Sequence, residues 1–231
     1  MLKIGGLQKN SFIDYPGKIS CVIFLSGCNY ACPYCHNPEL ARGEVVTAYT
    51  PEQIFDFLSG RKGLIDGVVI SGGEPTLQHE LFDLCEAIHQ QGFPIKLDTN
   101  GSRPAVLKEL IERRLLDYIA MDIKTDPNRY APLFHSKNHS DDIMASIEAI
   151  IGSGLPHEFR TTCVKSIMEE TVLETISRLI DRADRYVLQN FHPNRVLNPA
   201  FFSGSAGGFS EAEMQNLKLI AEKHVRQVII R

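Results

Sequence analysis

Ile19-Ser20-Cys21-Val22-Ile23-Phe24-Leu25-Ser26-Gly27-Cys28-Asn29-Tyr30-Ala31-Cys32-Pro33-Tyr34-Cys35-His36-Asn37 carries two signals in one stretch. Residues 19–25 are a continuous apolar, β-prone run, the pattern of a strand covered on both faces. Directly after it stand three cysteines in a Cys-x3-Cys-x2-Cys spacing. Three thiolates on a short loop can hold three irons of a four-iron cluster, because thiolate is the ligand such clusters favour, and they leave one iron open for chemistry. The same three could hold a structural zinc ion, with His36 or a distant residue as fourth ligand. Zinc sites more often use paired two-residue spacings, and no second cysteine pair is present.

Working outward, the combination of an apolar run and a polar, glycine-rich end recurs, and the recurrence decides the fold. Strands are expected at 67–71, 94–99, 118–122, 158–164, 185–189 and 225–230. Helices are expected at 51–58, 77–91, 104–114, 142–152, 169–183 and 210–223, the first and last opened by the capping boxes Thr50-x-x-Gln53 and Ser210-x-x-Glu213. Asp14-Tyr15-Pro16-Gly17 reads as a turn that delivers the chain into residue 19. Repeated strand-then-helix units with near-continuous apolar strands imply an α/β fold with a parallel sheet and helices outside. The loose stretches 126–141 and 193–209 are long enough to be lids or partner surfaces.

In parallel sheets, ligands sit beyond the carboxyl ends of the strands. The chemistry-bearing residues follow that rule: Cys28, Cys32 and Cys35 after the first apolar run, then Gly72-Gly73-Glu74-Pro75, then Asp98-Thr99-Asn100-Gly101, then Asp122-Ile123-Lys124. Arg160 falls within the fifth run and His192 after the sixth. A double glycine allows close backbone approach and Glu74 supplies an acceptor. Two carboxylates with a lysine suit a zwitterionic ligand, with room in the scheme for a cation, and Arg160 is expected to reach into the same mouth. Cys21, Cys85 and Cys163 lie inside apolar patterns and read as core thiols.

Composition bounds the rest. The 231 residues are most economically a single domain, 1–231, with the cysteine loop at 26–43. A formal charge of −4 and the absence of a basic run argue against nucleic acid. Residues 1–6 lack the features of a secretory signal and no stretch reaches membrane-spanning length, so a cytoplasmic protein without membrane partners is expected.

The Cys28-Cys32-Cys35 spacing, with Tyr34 before the last cysteine, resembles the radical S-adenosylmethionine (SAM) superfamily. The resemblance implies an incomplete (β/α)6 barrel, a [4Fe-4S] cluster on the three cysteines, and reductive cleavage of SAM. Residues 72–75, 98–101, 122–124 and Cys35-His36-Asn37 resemble the glycyl-radical-enzyme activases over nearly the whole chain. That likeness implies SAM contacts at Gly72, Gly73, Glu74, Asp98, Thr99, Asp122, Lys124, Arg160 and His192, a monovalent cation near the carboxylates, and reduced flavodoxin or ferredoxin as electron donor. No ferredoxin-like insertion with further cysteine motifs is present. Residues 5–17 and Leu188-Gln189-Asn190-Phe191-His192-Pro193 look most like the activating proteins of anaerobic ribonucleoside-triphosphate reductase, although His192 stands where much of that branch carries arginine. An activase of pyruvate formate-lyase, a small-molecule radical enzyme of the deazapurine-biosynthesis type and a non-catalytic zinc module are the alternatives.

Overall fold

The computed structural model describes residues 2–45, 48–135, 140–193, 195–202 and 207–231, without the side chain of Pro132. The strands follow one another in chain order, β1 to β8. The chain divides into two compact units.

The first unit holds residues 2–29, 39–99 and 105–119. It opens on β1 (Ile4–Ser11), which pairs antiparallel with β2 (Ser20–Leu25). The strands β2, β3 (Gly67–Gly72) and β4 (Ile95–Thr99) are parallel, with Leu25 opposite Gly72 and Ile70 opposite Leu97. Helices α1 (Pro38–Arg42), α2 (Pro51–Ser59) and α3 (Leu81–Gln90) connect them, and α4 (Pro104–Glu112) follows β4. The helical spacing of apolar residues explains their placement: Ile54 and Leu58 on α2, Leu84, Cys85 and Ile88 on α3, and Leu107 and Leu110 on α4 are all buried. Each such aliphatic side chain contributes about 1.5–3 kcal/mol. The capping box of α2 forms as expected, Gln53 N–H donating to Thr50 Oγ1 and Thr50 N–H to Gln53 Oε1.

The second unit holds residues 30–38, 100–104 and 120–231, and β5 (Tyr118–Asp122) runs from the first unit's residues into it. Strands β6 (His157–Cys163), β7 (Tyr186–Asn190) and β8 (Val228–Ile230) are parallel, with Phe159 opposite Tyr186 and Tyr186 opposite Val228. Between them lie α5 (Tyr130–Leu133), α6 (Ser140–Gly152), α7 (Glu170–Leu179) and α8 (Glu211–Ala221), the last again with its capping box.

Strands β2 to β7 are each followed by helix, giving six β/α units, and β1 and β8 end the strand order. This is the α/β fold expected from the sequence, with differences at its edges. Strand β1 lacked a clear pattern because Ile4 and Ser11 are buried while residues 8–10 are exposed. Helix α3 begins at Leu81, later than its apolar spacing suggests, because Pro75–Leu77 forms a 3-10 turn whose Thr76 N–H is held by Glu74. Helix α7 stops at Leu179, where Ile180 leaves helical geometry, and β8 is three residues long.

Candidate active site

In the first unit the cysteine loop begins where β2 ends. Gly27 N–H donates to the Leu40 carbonyl (2.7 Å) and Cys28 N–H to that of Ala41 (3.0 Å), so α1 fixes the backbone that carries the first thiol. On its other side lies the turn after β3. Gly73 N–H donates to Leu25 O and Glu74 N–H to Gly27 O, both at 2.8 Å. The approach is so close that a Cβ on Gly73 would stand 2.1 Å from Gly27 O, and one on Gly72, which has φ +122°, 2.2 Å from Leu25 O. The double glycine is therefore demanded by the cysteine loop itself.

Glu74 is wholly buried. Its Oε1 accepts from Thr76 N–H (3.1 Å), Thr76 Oγ1 (2.5 Å) and Thr99 Oγ1 (2.8 Å), tying the turn after β3 to the end of β4. The acceptor expected to receive a ligand is used, at this oxygen, to brace the scaffold. Next to Thr99 on β4, Asp98 accepts from Ser71 Oγ (3.1 Å) and is ion-paired with Lys96, two residues before it. Lys96 was not singled out from the sequence. It is 1% exposed, and its ammonium also lies 5.9 Å from the ring centroid of Tyr118. Breaking one side of such a buried pair costs on the order of 3–5 kcal/mol.

In the second unit Cys32 is buried and Cys35 partly exposed, with Cys35 N–H donating to Cys32 O (3.0 Å). The loop is braced by the two stretches expected to be lids or partner surfaces. Ala31 N–H donates to Phe134 O (2.9 Å), Asn198 N–H to Pro33 O (3.0 Å), and His36 Nδ1 pairs with Arg195 O (3.1 Å). Tyr34 packs edge-on against Phe134 and Phe191, and Phe191 stacks on Phe202 at 4.9 Å. No sequence period announces this aromatic cluster, because its members come from three separate loops. Residues 136–139, 194 and 203–206 of those stretches lie outside the described residues.

At the end of β5, Asp122 takes Arg160 Nε on Oδ1 (2.7 Å) and Lys124 Nζ on Oδ2 (3.4 Å). Arg160 comes from β6, as expected, and reaches this carboxylate with 12% of its side chain exposed. Lys124 N–H donates to Tyr130 Oη (2.9 Å). Thr99 is buried at the end of β4, and His192 is exposed just past β7.

Burial pushes the Asp122 carboxyl up, but the charges of Arg160 and Lys124 together with their hydrogen bonds outweigh it and hold it at about 2. The unfolded value is about 3.9, so the ionised carboxylate stabilises the fold above that pH and the contribution is lost as pH falls toward 2. Urea melts of wild type and Asp122→Asn should differ by a constant amount above about pH 5, the gap narrowing from about pH 4 to 2.

The sequence model of the Radical SAM superfamily matches residues 22–179. The chain belongs to the radical SAM superfamily. A Methanocaldococcus jannaschii protein named for glycyl-radical enzyme activation is 37% identical to it over 236 aligned residues, 99% of this chain and 95% of the relative. The pyruvate formate-lyase-activating enzyme of Clostridium pasteurianum is 30% identical over 203 residues, 83% of each chain. Together they place this radical SAM protein among the glycyl-radical-enzyme activating enzymes. The fold is that of Streptococcus suis SuiB in its structure with S-adenosylmethionine (TM-score 0.65, 15% identity, 90% of this chain and 51% of that one). It is also that of archaeal TYW1 (TM-score 0.58, 17% identity, 89% and 72%).

Superfamily membership brings a [4Fe-4S] cluster and SAM, and the thiols of this radical SAM protein fit the cluster. None of the six cysteines is in a disulfide. Cys21, Cys85 and Cys163 are wholly buried, and burial pushes each thiol up to about 12, which leaves them protonated and inert. Cys28 and Cys35 keep exposed surface on the loop, with Cys32 between them in sequence. Among the described residues no three of His, Cys, Asp and Glu are gathered as a single metal ion requires. A monovalent cation fits less well, since Asp98 and Asp122 are each already paired with protein cations. No helix among the described residues is long and apolar enough to cross a membrane.

Proposed function

We propose that the chain cleaves SAM reductively and uses the resulting radical to remove a hydrogen atom from a glycine Cα of a partner enzyme, anaerobic ribonucleoside-triphosphate reductase. The observation that carries this reading is the separation of the cysteines into two sets, three sealed thiols in the core and Cys28, Cys32 and Cys35 on a loop braced from both ends. Those three would hold the cluster. Bound there, the cluster would supply the single electron needed for reductive cleavage of SAM.

The chain's own part is to bind and orient. The site residues we assign are Gly72, Gly73 and Glu74 at the turn after β3, Asp98 and Thr99 at the end of β4, Asp122 and Lys124 after β5, Arg160 on β6 and His192 after β7. Gly72 and Gly73 let the turn press against the start of the cysteine loop, so that backbone carbonyls there can take the methionine amine. Lys124 and Arg160 provide positive charge for the methionine carboxylate, and Asp122 keeps the two cations aligned at 3.4 Å and 2.7 Å. Holding the reactants in one geometry supplies much of the rate in such a step.

The partner is argued from the likeness of residues 5–17 and 188–193 to the reductase-activating branch, and from the lack of any cysteine motif beyond residues 28–35. We take 1–231 to act as a single radical SAM domain in the reducing cytoplasm, served by reduced flavodoxin or ferredoxin. The likeness to the Clostridium enzyme favours a second reading, pyruvate formate-lyase as partner. Electron paramagnetic resonance after mixing the iron-loaded protein, SAM and reductant with each enzyme decides between them. A glycyl radical doublet on the reductase is expected. A doublet on pyruvate formate-lyase alone favours the second reading, and turnover of a small molecule with no radical on either enzyme overturns activation.

A further inference from the structure

We propose that the Lys96 ammonium is the built-in counter-cation of Asp98, so that SAM binding by this chain needs no free monovalent cation. The inference rests on the reading of the site given above. Residues two apart on a strand point to the same face, and Lys96 and Asp98 stand so on β4, their charged groups in contact. Lys96 is 1% exposed and Asp98 11%, so water screens the pair little. Ser71 Oγ holds the other carboxylate oxygen, and the Tyr118 ring lies 5.9 Å from the ammonium.

An ion seated against Asp98 would therefore meet a buried ammonium of its own sign, and like charges at such range repel strongly where water is excluded. The second carboxylate offers no vacancy in charge either, because Asp122 faces both Arg160 and Lys124. Each carboxylate thus has its counter-charge from the same compact unit, supplied covalently and at a fixed place. Lys96 acts through Asp98 and is a positioning residue.

The test measures the dissociation constant of SAM for the iron-loaded protein by equilibrium dialysis without oxygen, at one ionic strength, in potassium, sodium, ammonium or tetramethylammonium chloride. Wild type should bind alike in all four, within about twofold. Lys96→Ala, which removes the charge and opens space beside Asp98, should bind about tenfold more weakly in tetramethylammonium and recover in potassium or ammonium. Recovery by a small cation is a response that a purely structural role for Lys96 would not give. Wild-type binding that tightens several-fold with potassium or sodium overturns the inference, as does a Lys96→Ala protein that is unaffected or that no cation restores. If Lys96→Ala does not fold, the wild-type comparison decides alone. Absence of SAM binding in every salt overturns the reading of the site, and this inference with it.

Discussion

Cys32→Ala protein, supplied with iron and sulfide in the absence of oxygen, should fail to hold a four-iron cluster and should lose SAM cleavage by at least about 1,000-fold, some 4 kcal/mol of barrier. The argument is one of ligand count on a loop that keeps its shape. Ala31 N–H bonded to Phe134 O, Asn198 N–H bonded to Pro33 O and the seating of Tyr34 between Phe134 and Phe191 do not involve the thiol. The loop should therefore stay in place after the substitution, and the loss should be one of thiolate donation. Iron content, visible absorbance and 5′-deoxyadenosine released report it. Cys21→Ala is the matched control: its thiol is wholly buried in β2, and burial keeps it protonated. That variant should lose some stability and keep both iron and cleavage.

Gly73→Ala should be nearly as damaging, although it removes no ligand. The added Cβ would lie 2.1 Å from Gly27 O and 3.2 Å from Cys28 N, both backbone atoms, so no rotamer change can relieve the contact. Either the turn after β3 withdraws, breaking the bonds from Gly73 N–H and Glu74 N–H, or the start of the cysteine loop moves and carries Cys28 with it. Overpacking of this kind costs about 1–3 kcal/mol, and the displaced thiol should lower iron content in parallel. Gly92→Ala separates the two effects. Gly92 has φ +87° with nothing within 4 Å of an added Cβ, so it should cost only the conformational 1–2 kcal/mol or so and leave iron content unchanged. Thermal melts and iron analysis of the two variants make the comparison.

The sequence carried most of the fold because its strands are near-continuous apolar runs and two of its helices, α2 and α8, open on capping boxes, both of which are local signals. Strand β1 escaped because its side chains alternate poorly, Ile4 and Ser11 being buried and residues 8–10 exposed. Residue type and position in or just past a strand single out Cys28, Cys32, Cys35, Asp98, Asp122, Lys124 and Arg160 as candidates. Roles set by contact were not readable. Nothing in Ile95-Lys96-Leu97-Asp98 says that the lysine is buried against the aspartate, since a charged residue in a strand more often faces water. Glu74 looked like a free acceptor, yet one of its oxygens is saturated by Thr76 and Thr99. The segments 126–141 and 193–209 looked loose because they lack any period. Their described parts brace the cysteine loop through Phe134, Arg195 and Asn198, a job that needs only single backbone contacts.

Hydrogen transfer between the two proteins is the claim on which the account turns, and an isotope label follows it directly. The reductase proposed as partner, made with glycine deuterated at Cα, is mixed with iron-loaded activase, SAM and reductant, and the 5′-deoxyadenosine is weighed by mass spectrometry. The account predicts one deuterium in the 5′-deoxyadenosine formed with each glycyl radical, together with one methionine. Unlabelled 5′-deoxyadenosine, with no glycyl radical formed, would contradict it.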